Sequence, residues 1–154
     1  MDLYELLKFI HVLAAAAWVG GVVLSQVHGA WVAKKNDPHD FNSFIAFQAF
    51  LGKKYFMPLA ITVIAAGIAM VLESEAWDFT DTWIIIGIAL YVVSVVIGAG
   101  FLGPQSEKIQ QGLASGGPPD TALQALIDRV ALLSRVDFVV LILVVADMVI
   151  KPGL

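Results

Sequence analysis

The chain alternates between long apolar runs and short polar stretches. The four runs lie at residues 9–27, 55–72, 82–102 and 136–150. The first run contains no acid or base apart from His11. A helix needs about 20 apolar residues to cross the hydrocarbon core of a bilayer, so runs of this kind predict transmembrane helices. The predicted spans cover about residues 3–33, 55–73, 82–103 and 130–150.

Turn-forming and capping residues separate these helices. Asp37 and Pro38 end the first helix and begin another, with Asp37 as the cap and Pro38 at the first helical position. The new helix is amphipathic over residues 38–53 and leads into the second apolar run. Ser-Gly-Gly-Pro-Pro at residues 115–119 predicts a linker before the last helix. We therefore predict a single all-α membrane domain spanning residues 1–154.

Composition supports a membrane location and excludes several classes of protein. Of the 154 residues, 59% are hydrophobic and 14% are charged, with a mean hydropathy of +0.84, whereas soluble domains carry about 25% charged residues. The absence of cysteine excludes disulfides, thiolate ligands and cysteine nucleophiles. A net charge of −4 without a basic surface makes lipid, and not nucleic acid, the expected partner. Nucleotide-binding loops, HExxH and the nucleophile elbow are also absent from the sequence.

The distribution of basic residues predicts the orientation of the helices. The two long connections carry seven Lys and Arg residues, while the acidic connection at residues 73–81 carries none. By the positive-inside rule, the long connections are cytoplasmic and both termini are outside. The acidic N-terminus is unlike a cleaved signal peptide, so we expect the first helix to be retained. The prediction is an antiparallel transmembrane four-helix bundle of the bacterial inner membrane, N-out and C-out, multi-pass, with helices extended on the cytoplasmic side.

Ionisable side chains inside lipid are costly and are therefore functional candidates. His11 lies near the outer boundary of the first span, and Trp18 follows it at heptad spacing on the same seam. At that depth the other spans offer Met70, Trp83, Asp147 and Met148. Histidine with methionine can ligate haem iron, and a carboxylate can orient the imidazole. We predict a haem or metal site built on His11 with Trp18, Met70, Asp147 and Met148. The alternatives are a His11–Asp147 hydrogen bond that latches two helices, and proton transfer.

A second polar cluster is predicted at the inner boundary. Its members are His28, Lys53, Lys54 and Arg135, with Asp137 close to Arg135. His28 is about 25 Å along the helix from His11, so the two histidines of one chain cannot share a metal. We predict that the cluster contacts an anionic ligand or lipid head groups. Because Arg135 and Asp137 are two residues apart on a helix, we expect each to pair with another helix.

Three segments resemble known families. LLKFIHVLAAAAWVGGVV, with Lys8, His11, Trp18 and Gly21, resembles the first helix of CopD-type copper-resistance domains and of HemJ-type protoporphyrinogen oxidases. GAGFLGPQSEKI and VVADMVIKPG resemble a family of small four-helix bacterial integral-membrane proteins of unknown function. The resemblance implies a four-helix membrane bundle, and the HemJ-type likeness implies that His11 is linked to haem b. The stretch SQVHGAWVAKK departs from the HemJ pattern, so oxidase activity is not implied. A CopD-like copper role would require more outward-facing methionine and histidine.

The predicted function is a small integral membrane protein that binds haem b or a metal near its outer half through His11, with a redox or haem-linked role. A competing hypothesis is a ligand-free accessory or scaffold protein. A third is a small transporter for a metal or an organic ion. The sequence leaves open whether the protein is an enzyme, whether it forms a homo-oligomer and whether it has a redox partner.

Overall fold

A computed structural model describes residues 2–114 and 119–153, and this part of the chain is helical apart from short connections. The helices are α1 (Leu3–Lys35), α2 (Pro38–Leu51), α3 (Met57–Leu72), α4 (Thr82–Val95), α5 (Gly103–Leu113) and α6 (Thr121–Ile150). Short π-helical segments join α2 to α3 and α4 to α5. The all-α prediction is confirmed. Of the predicted linker at residues 115–119, all but Pro119 lies outside the described residues.

Local capping interactions set the boundaries of the first two helices. Asp2 and Glu5 form a capping box, in which each side chain accepts a hydrogen bond from the other residue's backbone N–H. Asn36 ends α1 in the left-handed conformation, with φ of 51°. Asp37 then caps α2, and Pro38 occupies its first turn. The capping residues Asn36, Asp37 and Pro38 thus end α1 and begin α2 at the position that the sequence predicts.

Each π-helical segment ends shortly before a proline. Gly52–Phe56 precedes Pro58, and Val96–Leu102 precedes Pro104. A proline ring clashes with the carbonyl four residues before it and supplies no N–H, so the wider π turn relieves the strain without breaking the helix. The helical axis therefore continues from α2 into α3 and from α4 into α5.

Three helical runs in the described chain are long and apolar enough to cross a membrane. They are Leu3–Lys35, Pro38–Leu72 and Thr82–Leu113. The 30-residue helix α6 differs because Arg135, Asp137 and Asp147 lie within its apolar half. Ionisable groups in such a segment need a compensating neighbour or a function.

Large apolar side chains cover the outward faces of the long helices. Phe9 is 61% exposed, Leu24 is 70% exposed and Val149 is 76% exposed. Exposed large apolar side chains in this number are disfavoured in water and suit contact with lipid. Lipid is therefore the natural solvent of this surface.

The core lies where α1, α3, α4 and α6 meet. Its buried members are Ala14, Trp18, Val22, Ala60, Val63 and Leu141. The Trp18 ring meets the Tyr91 ring edge to face with centroids 5.9 Å apart. The Tyr91 hydroxyl donates a hydrogen bond of 3.1 Å to the Ala60 carbonyl and so ties α4 to α3. Trp18, predicted to bind a cofactor, is thus a core residue.

Helix α1 and the π-helical segment that leads into α3 approach closely at a glycine. The Tyr55 hydroxyl donates to the Ala17 carbonyl at 2.8 Å. A Cβ on Gly21 would come within 2.6 Å of the Tyr55 ring, so a larger residue there would have to displace that ring. Small residues at such crossings let helices pack tightly inside lipid.

The two ends of the helices differ in charge. One end contains the connection at residues 73–81, whose acids are Glu73, Glu75, Asp78 and Asp81, and the last turn of α6. We call it the acidic end. The opposite end contains the α1–α2 connection and most of the basic residues. We call it the basic end.

Candidate functional site

His11 is held by a backbone carbonyl of the neighbouring helix α3. Its Nδ1 lies 2.9 Å from the carbonyl oxygen of Val63, and because a carbonyl can only accept, Nδ1 carries the proton and donates. Gly67 makes room for the ring, since a Cβ there would lie 3.2 Å from its Cε1. The ring is therefore fixed in one orientation, with Nε2 left as its second nitrogen.

The expected hydrogen bond between His11 and Asp147 is not formed. Asp147 is 7% exposed on α6, and neither of its carboxylate oxygens has a hydrogen-bond partner. The side chain packs instead against α4, with Oδ2 3.1 Å from the position of a Cβ on Gly87. The predicted hydrogen bond between His11 and Asp147 is therefore wrong. Helix α1 is rotated so that the imidazole of His11 faces α3.

Asp147 belongs to a continuous interface between α4 and α6. Ten residues earlier on α6, Asp137 accepts a hydrogen bond of 2.6 Å from the Ser94 hydroxyl of α4, and both side chains are buried. Gly87 and Ser94 are seven residues apart, which places them on the same face of α4. The two carboxylates therefore face α4 at two depths, about 15 Å apart along α6. The expected pairing of Asp137 with another helix is confirmed.

Beyond Asp147, towards the acidic end, two tryptophan rings contact the ammonium group of a lysine. The rings of Trp77 and Trp83 are perpendicular, with centroids 5.3 Å apart. The Lys151 ammonium lies 4.1 Å from the Trp77 centroid and 4.9 Å from the Trp83 centroid. The indole Nε1 of Trp83 is buried and lacks a hydrogen-bond partner. We refer to Trp77, Trp83 and Lys151 as the aromatic corner.

The structure separates the remaining residues of the predicted haem site. Met148 packs its methyl group against Gly87, next to Asp147. Met70 is half-buried on α3, three residues beyond Gly67, which packs against the His11 ring, or about 5 Å along the helix. The helices enclose a cavity of about 40 Å³ beside Trp18 and Tyr91.

The predicted inner cluster is dispersed over the basic end. The His28 ring packs edge to face on Phe44 at 5.1 Å. Lys53 forms an ion pair with Glu107 of α5, whereas Lys54 and Arg135 are exposed. The Lys53–Glu107 pair borders an open cavity of about 330 Å³ between α2 and α5. Within residues 2–114 and 119–153, no three His, Cys, Asp or Glu side chains group as metal ligands.

Sequence reasoning missed three residues of the acidic end and of the α4–α6 interface. Trp77 lies in the acidic connection, for which the sequence predicts no site, and Lys151 enters the sequence analysis only as part of the segment VVADMVIKPG. Ser94 lies in the middle of the third apolar run and is not among the predicted site residues. The spacing of these residues indicates part of the arrangement. Lys151 follows Asp147 by four residues and Ser94 follows Gly87 by seven, so each pair lies on one face of its helix. Neither spacing shows which helices face each other.

The helices, their lipid-compatible surface and the ionisable groups between them define an integral membrane protein. The chain belongs to the family described as "Predicted integral membrane protein (DUF2269)", whose family model matches residues 5–152. This match agrees with the resemblance to a family of unknown function and gives no support to the CopD-type or HemJ-type resemblance. No curated protein and no solved structure matches the chain.

Proposed function

We propose that this protein is a small carrier of a proton or cation in the bacterial inner membrane, working through the carboxylates of α6. In this proposal α6 is a fourth span, the helices form an antiparallel bundle, and the acidic end with both termini faces outside. Two observations support the arrangement: the apolar belt of the long helices and the concentration of basic residues at the basic end.

The observation that carries the proposal is the pair of buried carboxylates facing α4. Charges inside lipid are expensive, and intramembrane acids commonly mark ion and proton pathways. Asp137 has the Ser94 hydroxyl as a partner, whereas Asp147 has none. An acid without a partner is the group expected to exchange its proton for a cation.

The chemistry requires only that exchange. The neutral Asp147 carboxyl is the form that lipid favours, because it carries no charge. When a cation arrives from the acidic end, the carboxyl releases its proton to the water there, and the carboxylate and the cation pair. The net charge of the site is unchanged by the exchange of one proton for one monovalent cation. Asp137, about 15 Å deeper along α6, would be the next group in the path.

Vesicle transport tests the proposal. The purified protein would be reconstituted with a trapped pH-sensitive dye, and proton movement measured under imposed proton, sodium and potassium gradients. We expect flux above protein-free vesicles and at least a tenfold loss in Asp147→Asn and Asp137→Asn. Asp128→Asn is the matched control, because Asp128 is on α6 but exposed, where it accepts a hydrogen bond from Gln124. Equal flux in Asp147→Asn and the wild type would refute the proposal.

A second candidate is haem b binding through His11. The bond from Nδ1 to the Val63 carbonyl favours it, because iron-binding histidines are commonly oriented by such a bond. The surroundings do not fit a haem held inside one subunit. The enclosed cavity beside Trp18 and Tyr91 is about 40 Å³, whereas cofactor pockets are about 300 Å³ or more. We therefore derive no haem chemistry from this chain.

Absorbance decides the haem candidate. A Soret band in the purified protein, lost in His11→Ala and kept in His28→Ala, would establish haem binding through His11. Its absence, even after addition of haemin, would remove the candidate. A protein with neither flux nor a Soret band would be the ligand-free scaffold.

A further inference from the structure

We propose that the acidic end is a binding site for a small organic ammonium ion, with the aromatic corner as its wall, Asp147 as its counter-charge and Lys151 as a built-in occupant. The inference deepens the proposed function and rests on it for its role in transport. Binding itself can be measured without transport.

The aromatic corner already binds an ammonium group of its own chain. Perpendicular indole rings present their electron-rich faces to a cation between them, which is the arrangement that recognises alkylammonium ligands. Lys151 reaches this position from the last turn of α6, with its ammonium 4.1 Å and 4.9 Å from the two ring centroids. The geometry of the corner therefore suits an ammonium ion.

An acidic side chain lies directly below the corner and has no hydrogen-bond partner. Asp147 precedes Lys151 by one helical turn, and its contact Gly87 follows Trp83 by one turn, so the two levels stack along the α4–α6 interface. Asp147 is 7% exposed, and no cation of the described chain lies within ion-pair distance of it. Lys151 is engaged by the rings and leaves the carboxylate unpaired.

A free ammonium ion can contact both the aromatic rings and the Asp147 carboxylate, whereas the Lys151 ammonium contacts only the rings. Lys151 is tethered by its backbone, which ends α6 in the left-handed conformation with φ of 49°. A small untethered ion can displace the lysine from the rings and sit closer to the carboxylate. The unpartnered Nε1–H of Trp83 adds a donor, which can bind a hydroxyl oxygen on the same ligand. The site thus favours an amino alcohol such as choline over tetramethylammonium.

The surrounding charge supports capture of a cation from solution. The connection that carries Trp77 also carries Glu73, Glu75, Asp78 and Asp81. A local concentration of acids raises the local concentration of cations and speeds their arrival.

Equilibrium titration of the full-length protein in detergent tests the inference. Choline, ethylammonium and tetramethylammonium chlorides would be titrated by calorimetry and by tryptophan fluorescence, with sodium chloride at equal ionic strength as the blank. We expect saturable binding of the organic ions, tightest for choline, and no saturation with sodium. Asp147→Asn should weaken choline binding at least tenfold, and Trp83→Phe severalfold.

Lys151→Ala supplies the sharpest test, because it removes the proposed competitor. We expect choline to bind about three- to tenfold more tightly to this variant. Lys35→Ala is the matched control, since the Lys35 ammonium lies 3.8 Å over the Trp31 ring at the basic end. Its affinity should equal that of the wild type.

Each result decides the inference. Two results would overturn the inference in variants whose circular dichroism shows native helix content. The first is weaker or unchanged choline binding in Lys151→Ala. The second is full choline affinity in both Asp147→Glu and Asp147→Asn. Binding without vesicle flux would refute the carrier and leave the site standing. Proton flux without saturable ammonium binding would refute the site and leave the carrier standing.

Discussion

Asp137 and Asp147 are the same residue type on the same helix, both buried against α4, yet their surroundings differ. Asp137 accepts a 2.6 Å hydrogen bond from Ser94, which is 1% exposed. Asp147 faces Gly87, which offers no side chain, and its oxygens have no partner. The first acid is part of the packing between α4 and α6, whereas the second is not compensated by the described chain.

The difference indicates two roles for two similar carboxyls. Most buried polar groups have a hydrogen-bond partner, so an exception requires an explanation. A Cβ on Gly87 would overlap the Met148 methyl group, so the packing leaves no space there for a side chain that could donate to Asp147. Asp147 is therefore left without a hydrogen-bond partner among the described residues.

The largest expected effect is a gain of stability when Asp147 is made apolar. Asp147→Leu removes a buried acceptor that lacks a partner, and such a group costs about 1–3 kcal/mol. We expect the free energy of unfolding in mixed micelles to rise by about that amount, while transport and ammonium binding are lost. Asp137→Leu is the control and should bring no gain, because it also discards a hydrogen bond. A less stable Asp147→Leu protein would mean that Asp147 is compensated after all.

A smaller effect is expected when the partner of Asp137 is removed. Ser94→Ala leaves Asp137 buried without its donor, and we expect a loss of about 1 kcal/mol, as for hydrogen bonds between membrane helices. Thr62→Ala is the control, because the Thr62 hydroxyl is exposed and bonds to the Pro58 carbonyl of its own helix. Unfolding in mixed micelles should show a loss only for Ser94→Ala. Equal losses in both variants would contradict the assignment.

Much of the fold follows from short-range signals. The length of the apolar runs predicts the long helices, and Asp37 with Pro38 predicts the break after α1. These signals act within a few residues of the chain, so the sequence is sufficient to detect them. The π-helical turns before Pro58 and Pro104 are also local, although the sequence shows only that a distortion is needed.

The candidate site depends on information that a hydropathy pattern lacks. Depth along the span was enough to group His11, Asp147 and Trp83, but not to show which side chains face each other. Helices in lipid are apolar on most faces, so the pattern gives little information about rotation. The rotation of α1 places His11 on Val63 of α3. Contact between Lys151 and Trp77 depends on how two chain segments meet, and no local rule predicts it.

A double-mutant cycle tests whether His11 belongs to the Asp147 environment. His11→Leu removes the hydrogen bond to Val63 and should cost about 0.6 kcal/mol, the average for such bonds between membrane helices. Combined with Asp147→Leu, the two effects should add to within about 0.5 kcal/mol, as they do for residues that share no partner. Unfolding of the two single variants and the double variant in mixed micelles supplies the measurement. A larger coupling energy would restore the His11–Asp147 interaction as a feature of the native state.

The smallest expected effect concerns Asp78, an exposed acid at the same end as Asp147. Unlike Asp147, its carboxylate accepts hydrogen bonds. The backbone N–H and the hydroxyl of Thr80 both donate to its carboxylate and lower the pKa of Asp78 below its ordinary value of 3.8. A lowered folded-state pKa means that these bonds stabilise the connection above the unfolded pKa, and that the contribution disappears as the pH falls through the folded pKa. We expect the Thr80 amide to exchange more slowly in the wild type than in Asp78→Asn at pH 5, and this difference to disappear as the pH falls below the folded-state pKa of Asp78. Glu75→Gln, in the same connection, should match the wild type over the same pH range. Equal exchange in wild type and Asp78→Asn at pH 5 would show that these bonds do not hold the connection, and that the aromatic corner is positioned without them.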